Sequence, residues 1–336
     1  MSKLIIQIPC YNEAHSLPQT LAELPRELPG FDSVEWLVID DGSSDGTSQV
    51  ARELGVDHVI RHTGNRGLAK SFRTGLDAAL QMGADVIVNT DGDNQYPGYQ
   101  IGRLVAPILA GEADLVIGDR QTRINPHFSW GKRQLQWLGS FAVRQLSNTD
   151  TPDTVSGFRA FSREAALRMN VVSSFSYTIE TLIQAGNQRL KVMSIPITTN
   201  GKLRESRLFQ SIPQFLARSS STMLRVYSMY RPLKVFFYFS ACLSLFGLIP
   251  ILRFLYYYFV EGGAGHIQSL VLGGVLLLMG FITFLFGMVA DLIAVNRSLL
   301  EEILKSTRNE KPLISNSAFR FEEDYLAEET YFSKTH

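Results

Sequence analysis

Residues 84–97 read "ADVIVNTDGDNQYP". An apolar run leads into a polar one in which Asp91, Asp93 and Gln95 fall at every second position, and Pro97 closes the segment. Alone, a buried strand ending this way fits either a solvated turn or a divalent-cation site, since carboxylates and an amide are hard oxygen donors. The rest of the chain decides between the two.

Four other segments repeat the pattern. "KLIIQIPCYN" (3–12), "VEWLVIDDGSSDGT" (34–47), "VDHVIRH" (56–62) and "DLVIGDR" (114–120) each run from apolar residues into polar ones. Between them, "SLPQTLAELPREL" (16–28), "TSQVARELG" (47–55) and "LAKSFRTGLDAALQMG" (68–83) carry helical spacing, with Ser16 as an N-cap and Gly55 and Gly83 as stops. Strands alternating with helices predict a mostly parallel sheet covered on both faces. Ligands of such sheets bind beyond the C-terminal strand ends. The polar pieces "PCYNE", "DDGSSDGT", "HTGNRG", "DGDNQ" and "GDR" all fall there, so they predict one site on one edge.

Several function classes are excluded. The formal net charge is zero, so a nucleic-acid partner has no electrostatic support. Cys10 and Cys242 stand apart with no CxxC, which argues against a disulfide scaffold or a structural zinc. "GNRGLAKS" (64–71) imitates a P-loop, but Ala69 precedes Lys70 where a P-loop needs Gly. The dinucleotide fingerprint is missing after the first strand. Of the six histidines, only His58 and His62 have metal-like spacing, and a strand does not bring such a pair together as a helix does.

Composition shifts after about residue 206. "VFFYFSACLSLFGLIPILRFLYYYFV" (235–260) holds one charge, Arg253, and "IQSLVLGGVLLLMGFITFLFGMVA" (267–290) holds none. At ~1.5 Å rise per residue, each is long enough to cross a hydrocarbon core of ~30 Å. Arg218, Arg225, Arg231 and Lys234 precede the first run, and Arg297, Lys305, Arg308 and Lys311 follow the second. The loop "EGGAGH" between them has no Lys or Arg, so the positive-inside rule places both ends in the cytoplasm. The opening stretch has too short an apolar run for a secretory signal, which agrees. Residues 208–230 mix apolar residues with spaced arginines, as an amphipathic helix on the membrane or a packed connector does. Asp291 is expected to pair with Arg297. The division predicted is 1–206 catalytic, 207–234 juxtamembrane, 235–295 a two-helix membrane hairpin and 296–336 a cytoplasmic tail. "FRFEEDYLAEETYF" in that tail has the amphipathic, aromatic character of a segment packed between protomers.

The ordered set "IPCYNE", "DDGSSDGT", "NRG" and "DGDNQYP" resembles the GT-A glycosyltransferases of family 2. With "GDR", "DTVSGFRAFSREA", "NGKLRESRL" and two apolar runs, it is similar to their polyprenyl-phosphate branch, the relatives of dolichyl-phosphate mannose synthase. One departure is visible: "DGDNQ" stands where the family often has "DADLQ". The resemblance implies an α/β GT-A catalytic domain, Rossmann-like with a mostly parallel sheet, followed by juxtamembrane and two transmembrane helices. It implies transfer of one sugar, with inversion, from a UDP- or GDP-linked nucleotide sugar to a polyprenyl phosphate (undecaprenyl or dolichyl). The enzyme would be an integral membrane protein, of the inner membrane if bacterial, and a homo-oligomer.

The resemblance also implies roles. Asp40 and Asp41 would accept hydrogen bonds from base and ribose, with Pro9, Tyr11, Glu13, Arg66 and Gly67 lining the nucleotide-sugar pocket. Asp91, Asp93 and Gln95 would hold Mg²⁺ or Mn²⁺, on one side of an extended chain. The acceptor phosphate is already largely dianionic at neutral pH, so it needs a cationic clamp more than a base. Arg120, Arg133, Arg159, Arg204 and Arg207 are the candidates, since the guanidinium fork binds phosphate bidentately. Arg120 and Arg159 join Asp91 and Asp93 as the catalytic set. Asp153 would orient the clamp or act in catalysis itself. Two rivals remain: a processive polysaccharide synthase, which "QLQWLG" disfavours by lacking the Arg of QxxRW, and a non-catalytic membrane sensor of nucleotide sugar or lipid phosphate.

Overall fold

The computed structural model describes residues 2–121, 139–141, 143–172, 177–201, 221, 223–262 and 266–310. Arg133, Arg204, Arg207 and the tail from residue 311 lie outside these, as do most of residues 208–222. The described residues form two units, those within 1–222 together with 304–310, and those within 223–303.

The first unit is built on a seven-stranded sheet in the order β3-β2-β1-β4-β6-β5-β7. Its strands are β1 (Lys3–Cys10), β2 (Ser33–Asp40), β3 (His58–Arg61), β4 (Val86–Asn89), β5 (Leu115–Asp119), β6 (Arg159–Ser162) and β7 (Val192–Pro196). Only β6 runs antiparallel to its neighbours β4 and β5. The five expected strands are therefore mutually parallel, and their polar ends share one edge. The two further strands had no clear signal in the chain. β6 is four residues long and opens on a charged residue, and the short β7 stays half-exposed.

The sheet is buried on both faces. Leu4, Ile6 and Ile8 point into a core with Leu17 and Leu21 of α1 (Leu17–Glu23) and Ile101 and Leu104 of α4 (Ile101–Leu109). On the opposite face, α3 (Leu68–Gln81) packs on β1 and β2. There Phe72 stacks on Tyr177, 3.9 Å between ring centroids. The short α2 (Thr47–Glu53) follows β2. Ser16 stands at the start of α1 as expected but makes no side-chain cap bond, because its hydroxyl turns to Glu13 and Gly92. Two further helices of this part are α5 (Arg163–Arg168) and α6 (Tyr177–Asn187).

The second unit is a helical hairpin, α7 (Pro232–Glu261) and most of α8 (Ile267–Glu310). Both helices are long and apolar enough to cross a membrane. Small residues form their seam: a Cβ at Gly280 would come 2.5 Å from Ser244 Oγ, and one at Gly287 would come 2.6 Å from Phe236 Cβ. Phe237, Phe246, Leu272 and Phe286 are exposed. α8 runs through residue 295 without a break, so the expected boundary there is not a structural one. Arg297 pairs with Glu301, 2.8 Å away and one turn on, and not with Asp291 as expected. The i,i+4 spacing brings Glu301 onto the same helix face.

The last turns of α8 belong to the first unit and dock there. Arg308 bonds Asp77 of α3 at 2.7 Å and caps the end of α5 through the carbonyls of Leu167 (3.3 Å) and Met169 (2.8 Å). Lys305 reaches Glu164 at 2.5 Å. Arg308→Ala therefore removes hydrogen bonds to a charged group worth about 1.5–3 kcal/mol. The thermal midpoint of the detergent-solubilised chain should fall by roughly 2–4 °C per kcal/mol lost. Scanning calorimetry beside a change at exposed Glu112 checks it.

Candidate active site

The loops after β1 and β2 are sewn together by side chains that cap each other's amides. Asn12, at φ 54°, accepts from Ser44 N at 2.9 Å, and its own amide donates to Ser43 Oγ at 2.8 Å. Asp45 accepts from Ala14 N at 3.0 Å and from the Thr47 hydroxyl at 2.5 Å, and Thr47 Oγ1 in turn accepts from Glu13 N. Burial alone would raise the Asp45 carboxyl, but these bonds outweigh it and hold it below its usual range. Glu13 is buried and accepts from Ser16 Oγ at 2.5 Å, while Tyr11 stays 40% exposed at the rim.

Asp40 and Asp41, the residues expected to meet base and ribose, are both bonded within the protein. Both are nearly fully buried. Asp40 accepts from Ser43 N (2.8 Å) and from the Ser48 hydroxyl. Asp41 accepts from His62 Nδ1 (2.7 Å), Arg66 N (2.9 Å) and Gly67 N (2.8 Å), with Ser71 a further partner. Burial pushes its carboxyl up, yet these donors prevail and hold it low. A carboxylate offers about four acceptor positions, so Asp41 is engaged by its own protein. It organises the 62–67 loop and presents the exposed Arg66 at its tip. His62 is buried between Asp41 and Thr74. Pro9 lies inside β1 opposite Ile39.

β4 ends on the buried Asn89, held by Gln7 Nε2 at 2.9 Å. Asn89 Nδ2 donates to Gly157 O and Tyr177 Oη, each at 2.9 Å. The chain then turns. Asn94 sits at φ 56°, and Asp93 Oδ1 accepts from Gln95 N at 3.2 Å. The expected extended alternation over Asp91, Asp93 and Gln95 is thus replaced by a tight turn, because a left-handed residue reverses the chain between the second and third.

That turn explains the departure from "DADLQ" at both residues where it occurs, 92 and 94. A Cβ at residue 92 would lie 2.8 Å from Cys10 Sγ, so Gly92 matches Cys10. Asn, unlike Leu, tolerates the left-handed conformation at 94. Burial pushes the Cys10 thiol well up, and four neighbouring carboxylates, Glu13, Asp40, Asp91 and Asp45, push it further. The same neighbourhood marks where negative charge collects.

On the other side, Arg120 forms a bidentate pair with Asp153, Nε–Oδ2 2.7 Å and Nη2–Oδ1 2.9 Å. Asp153 is fully buried and Arg120 nearly so. Burial raises the Asp153 carboxyl, but Arg120 outweighs it and holds it low. Burial also opposes the Arg120 charge, which Asp153, Tyr96 and Asp91 then reinforce. Asp91 lies against Gly157, where a Cβ would be 3.1 Å from its Oδ1. Tyr96 Oη accepts from Gly157 N at 3.2 Å, and burial pushes that hydroxyl up to about 12. Asp91, Tyr96, Gly157, Arg120 and Asp153 form one neighbourhood. Tyr96 and Gly157 were not foreseen, although Tyr96 directly follows the acid motif.

Arg159 is not part of any surface clamp. It is fully buried and donates to Ser156 O, Thr154 O, Thr178 O and Thr181 Oγ1. Burial pulls its pKa down to about 10. Its place in β6, between β4 and β5, puts the guanidinium inside the protein, where it holds the 154–156 loop behind Asp153. Half-buried Asp119 was also missed; burial raises its carboxyl, beside Asp153.

The residues present fit a divalent cation by donor chemistry. Asp91 and Asp93 are half-buried carboxylates on one turn. Among the described residues no three His, Cys, Asp or Glu side chains converge. Phosphate and water oxygens would therefore complete the shell, as Mg²⁺ commonly requires.

The acids and the Arg120–Asp153 pair thus stand at the C-terminal edge of a mostly parallel α/β sheet, where such sheets bind their ligands. Residues 5–168 match the profile of Glycosyl transferase family 2. The chain is 30% identical over 217 residues to the undecaprenyl-phosphate mannosyltransferase of Micrococcus luteus, covering 61% of this chain and 87% of that one. It is also 30% identical over 207 residues to the polyprenol monophosphomannose synthase of Mycolicibacterium smegmatis, covering 58% and 77%. Glucosyl-3-phosphoglycerate synthase from Mycobacterium tuberculosis, crystallised with Mn²⁺, UDP and glucosyl-3-phosphoglycerate, superposes with a TM-score of 0.51. That match covers 68% of this chain and 79% of the other at 19% identity, and it shows the GT-A fold. The chain belongs to glycosyltransferase family 2.

The pairing of Gly92 with Cys10 is testable. Gly92→Ala should destabilise the chain by about 1–3 kcal/mol, the usual cost of overpacking. Adding Cys10→Ala should restore most of that. A double-mutant cycle in denaturant, with equal losses in both backgrounds as the contrary outcome, decides it.

Proposed function

We propose that this chain transfers one sugar from a nucleotide sugar to a polyprenyl phosphate, with inversion, at the cytoplasmic face of a membrane. The observation that carries it is the acid turn Asp91–Asp93 beside the Arg120–Asp153 pair, in a chain similar to two lipid-phosphate mannosyltransferases.

Asp91 and Asp93, with the Gln95 amide, would hold Mg²⁺ or Mn²⁺. When bound, the cation neutralises charge on the departing nucleoside diphosphate. The Asp41-held loop would present Arg66 to the donor, and Tyr11 and Glu13 would line its pocket. The acceptor phosphate is largely dianionic at neutral pH and attacks without a strong base. A phosphate oxygen forms the new bond to the anomeric carbon as the bond to the diphosphate breaks on the opposite side. Arg120, oriented by Asp153, would hold the two anionic groups close against their repulsion. Arg133, Arg204 and Arg207 remain proposed partners of the acceptor. The apolar hairpin would anchor the chain where the lipid lies, with both ends cytoplasmic by the arginine and lysine flanks.

Membranes containing the chain, incubated with a panel of radiolabelled UDP- and GDP-sugars, should place label in the organic phase with one sugar per lipid. Asp93→Asn should cut this on the order of 10²-fold or more, the scale of losing one transition-state charge partner. No organic-phase label from any donor, or full activity in Asp93→Asn, would overturn the assignment. A ladder of longer products would favour a polymer synthase.

A further inference from the structure

Three side chains outside the presumed donor set converge on the acid turn. Asn94 is 1% exposed and left-handed, and its Nδ2 donates to Glu23 Oε1 at 2.9 Å. The other Glu23 oxygen, Oε2, accepts from Asn200 Nδ2 at 3.2 Å. Asn200 then closes the figure twice, from Nδ2 to Asn94 O at 3.1 Å and from its backbone N to Gln95 O at 3.0 Å. Among the described residues Asn94 Oδ1 meets no hydrogen-bond partner, so the Glu23 contact fixes how that amide points.

The surrounding backbone is equally constrained. Glu23 is the last residue of α1, and a Cβ at Gly98 would lie 2.2 Å from its carbonyl oxygen. The exit of the turn is therefore pressed against the end of α1. Next to it, Gln100 exchanges both amide atoms with the Thr198 backbone, Nε2 to O at 3.0 Å and N to Oε1 at 3.1 Å. Asn tolerates the left-handed region but does not require it, so the conformation at 94 is selected by what surrounds it. Here the surroundings are one carboxylate from α1 and one amide from the segment after β7.

We infer that Glu23, Asn94 and Asn200 form a positioning hub that sets the Asp91–Gln95 turn in its cation-holding shape. The inference rests on the cation role of Asp91 and Asp93 proposed above. All three act on the chain just after Asp93, Glu23 through the Asn94 side chain and Asn200 through the Asn94 and Gln95 carbonyls. Glu23 is the keystone because one acceptor group receives amides from two separate segments. A neutral amide there has only one acceptor atom and turns an NH₂ toward a second donor.

The test is Mn²⁺ binding by the full detergent-solubilised chain, with UDP or GDP present, read from loss of the free Mn²⁺ electron paramagnetic resonance signal. Glu23→Gln and Asn200→Ala should each raise the Mn²⁺ dissociation constant on the order of 10-fold, the scale of losing an outer-shell partner. Asn94→Gly keeps the backbone shape and should lose less than Asn94→Ala, which loses both shape and anchor. Thermal midpoints measured alongside separate a shifted cation site from a failed fold. Asp93→Asn is the control that removes a ligand. Weak binding by Asp93→Asn with wild-type binding by folded Glu23→Gln and Asn200→Ala would overturn the hub alone. Equal binding by wild type and Asp93→Asn would overturn the cation reading, and the hub with it.

Discussion

The hydrogen bonds around Asn89 are the constraint on which the site depends. A strand in the middle of a sheet that is buried on both faces ends on a polar residue at a high desolvation cost unless that residue is hydrogen-bonded. Gln7 on the neighbouring strand, Gly157 O and the Tyr177 hydroxyl satisfy Asn89 inside the protein. That lets β4 stop within the core and release Thr90 and Asp91 toward the edge. The same bonds bring Gly157, and with it the loop behind Asp153, against the start of the acid turn. The acid turn and the Arg120–Asp153 pair are thus two ends of one buried network.

The polar residues at this edge divide into two kinds. Asp41 and Arg159, both candidates in the sequence, hold loops in the structure, as Asp45 does: each is surrounded by donors or acceptors from its own chain. Asp91, Asp93 and the Arg120–Asp153 pair sit where the organised loops open. A carboxylate in a strand-end motif is as useful for fixing a loop without secondary structure as for meeting a ligand. Five loops on one edge need many such fixings.

This explains what the sequence made legible. Apolar runs alternating with helical spacing specify the parallel core, because burial on both faces demands near-continuous hydrophobic strands. They also mark the active edge, since only polar residues can follow such strands. β6 escaped because its buried Arg159 breaks the apolar pattern while tertiary carbonyls satisfy its charge. The alternation expected for Asp91, Asp93 and Gln95 failed because strand periodicity ends with the strand. The left-handed Asn94 owes its shape to Glu23 and Asn200, which are remote in sequence. The bond between Arg120 and Asp153 likewise spans a separation that no local pattern encodes.

The glycine and serine seam between the two apolar helices has a consequence for traffic. Where Gly280 meets Ser244 and Gly287 meets Phe236, the helices approach too closely for a methyl group to be added without displacing a neighbour. A hairpin zipped in this way leaves no room for a polar passage between the described helices at these two levels. Anything polar that moves along the pair goes around the two helices and not between them.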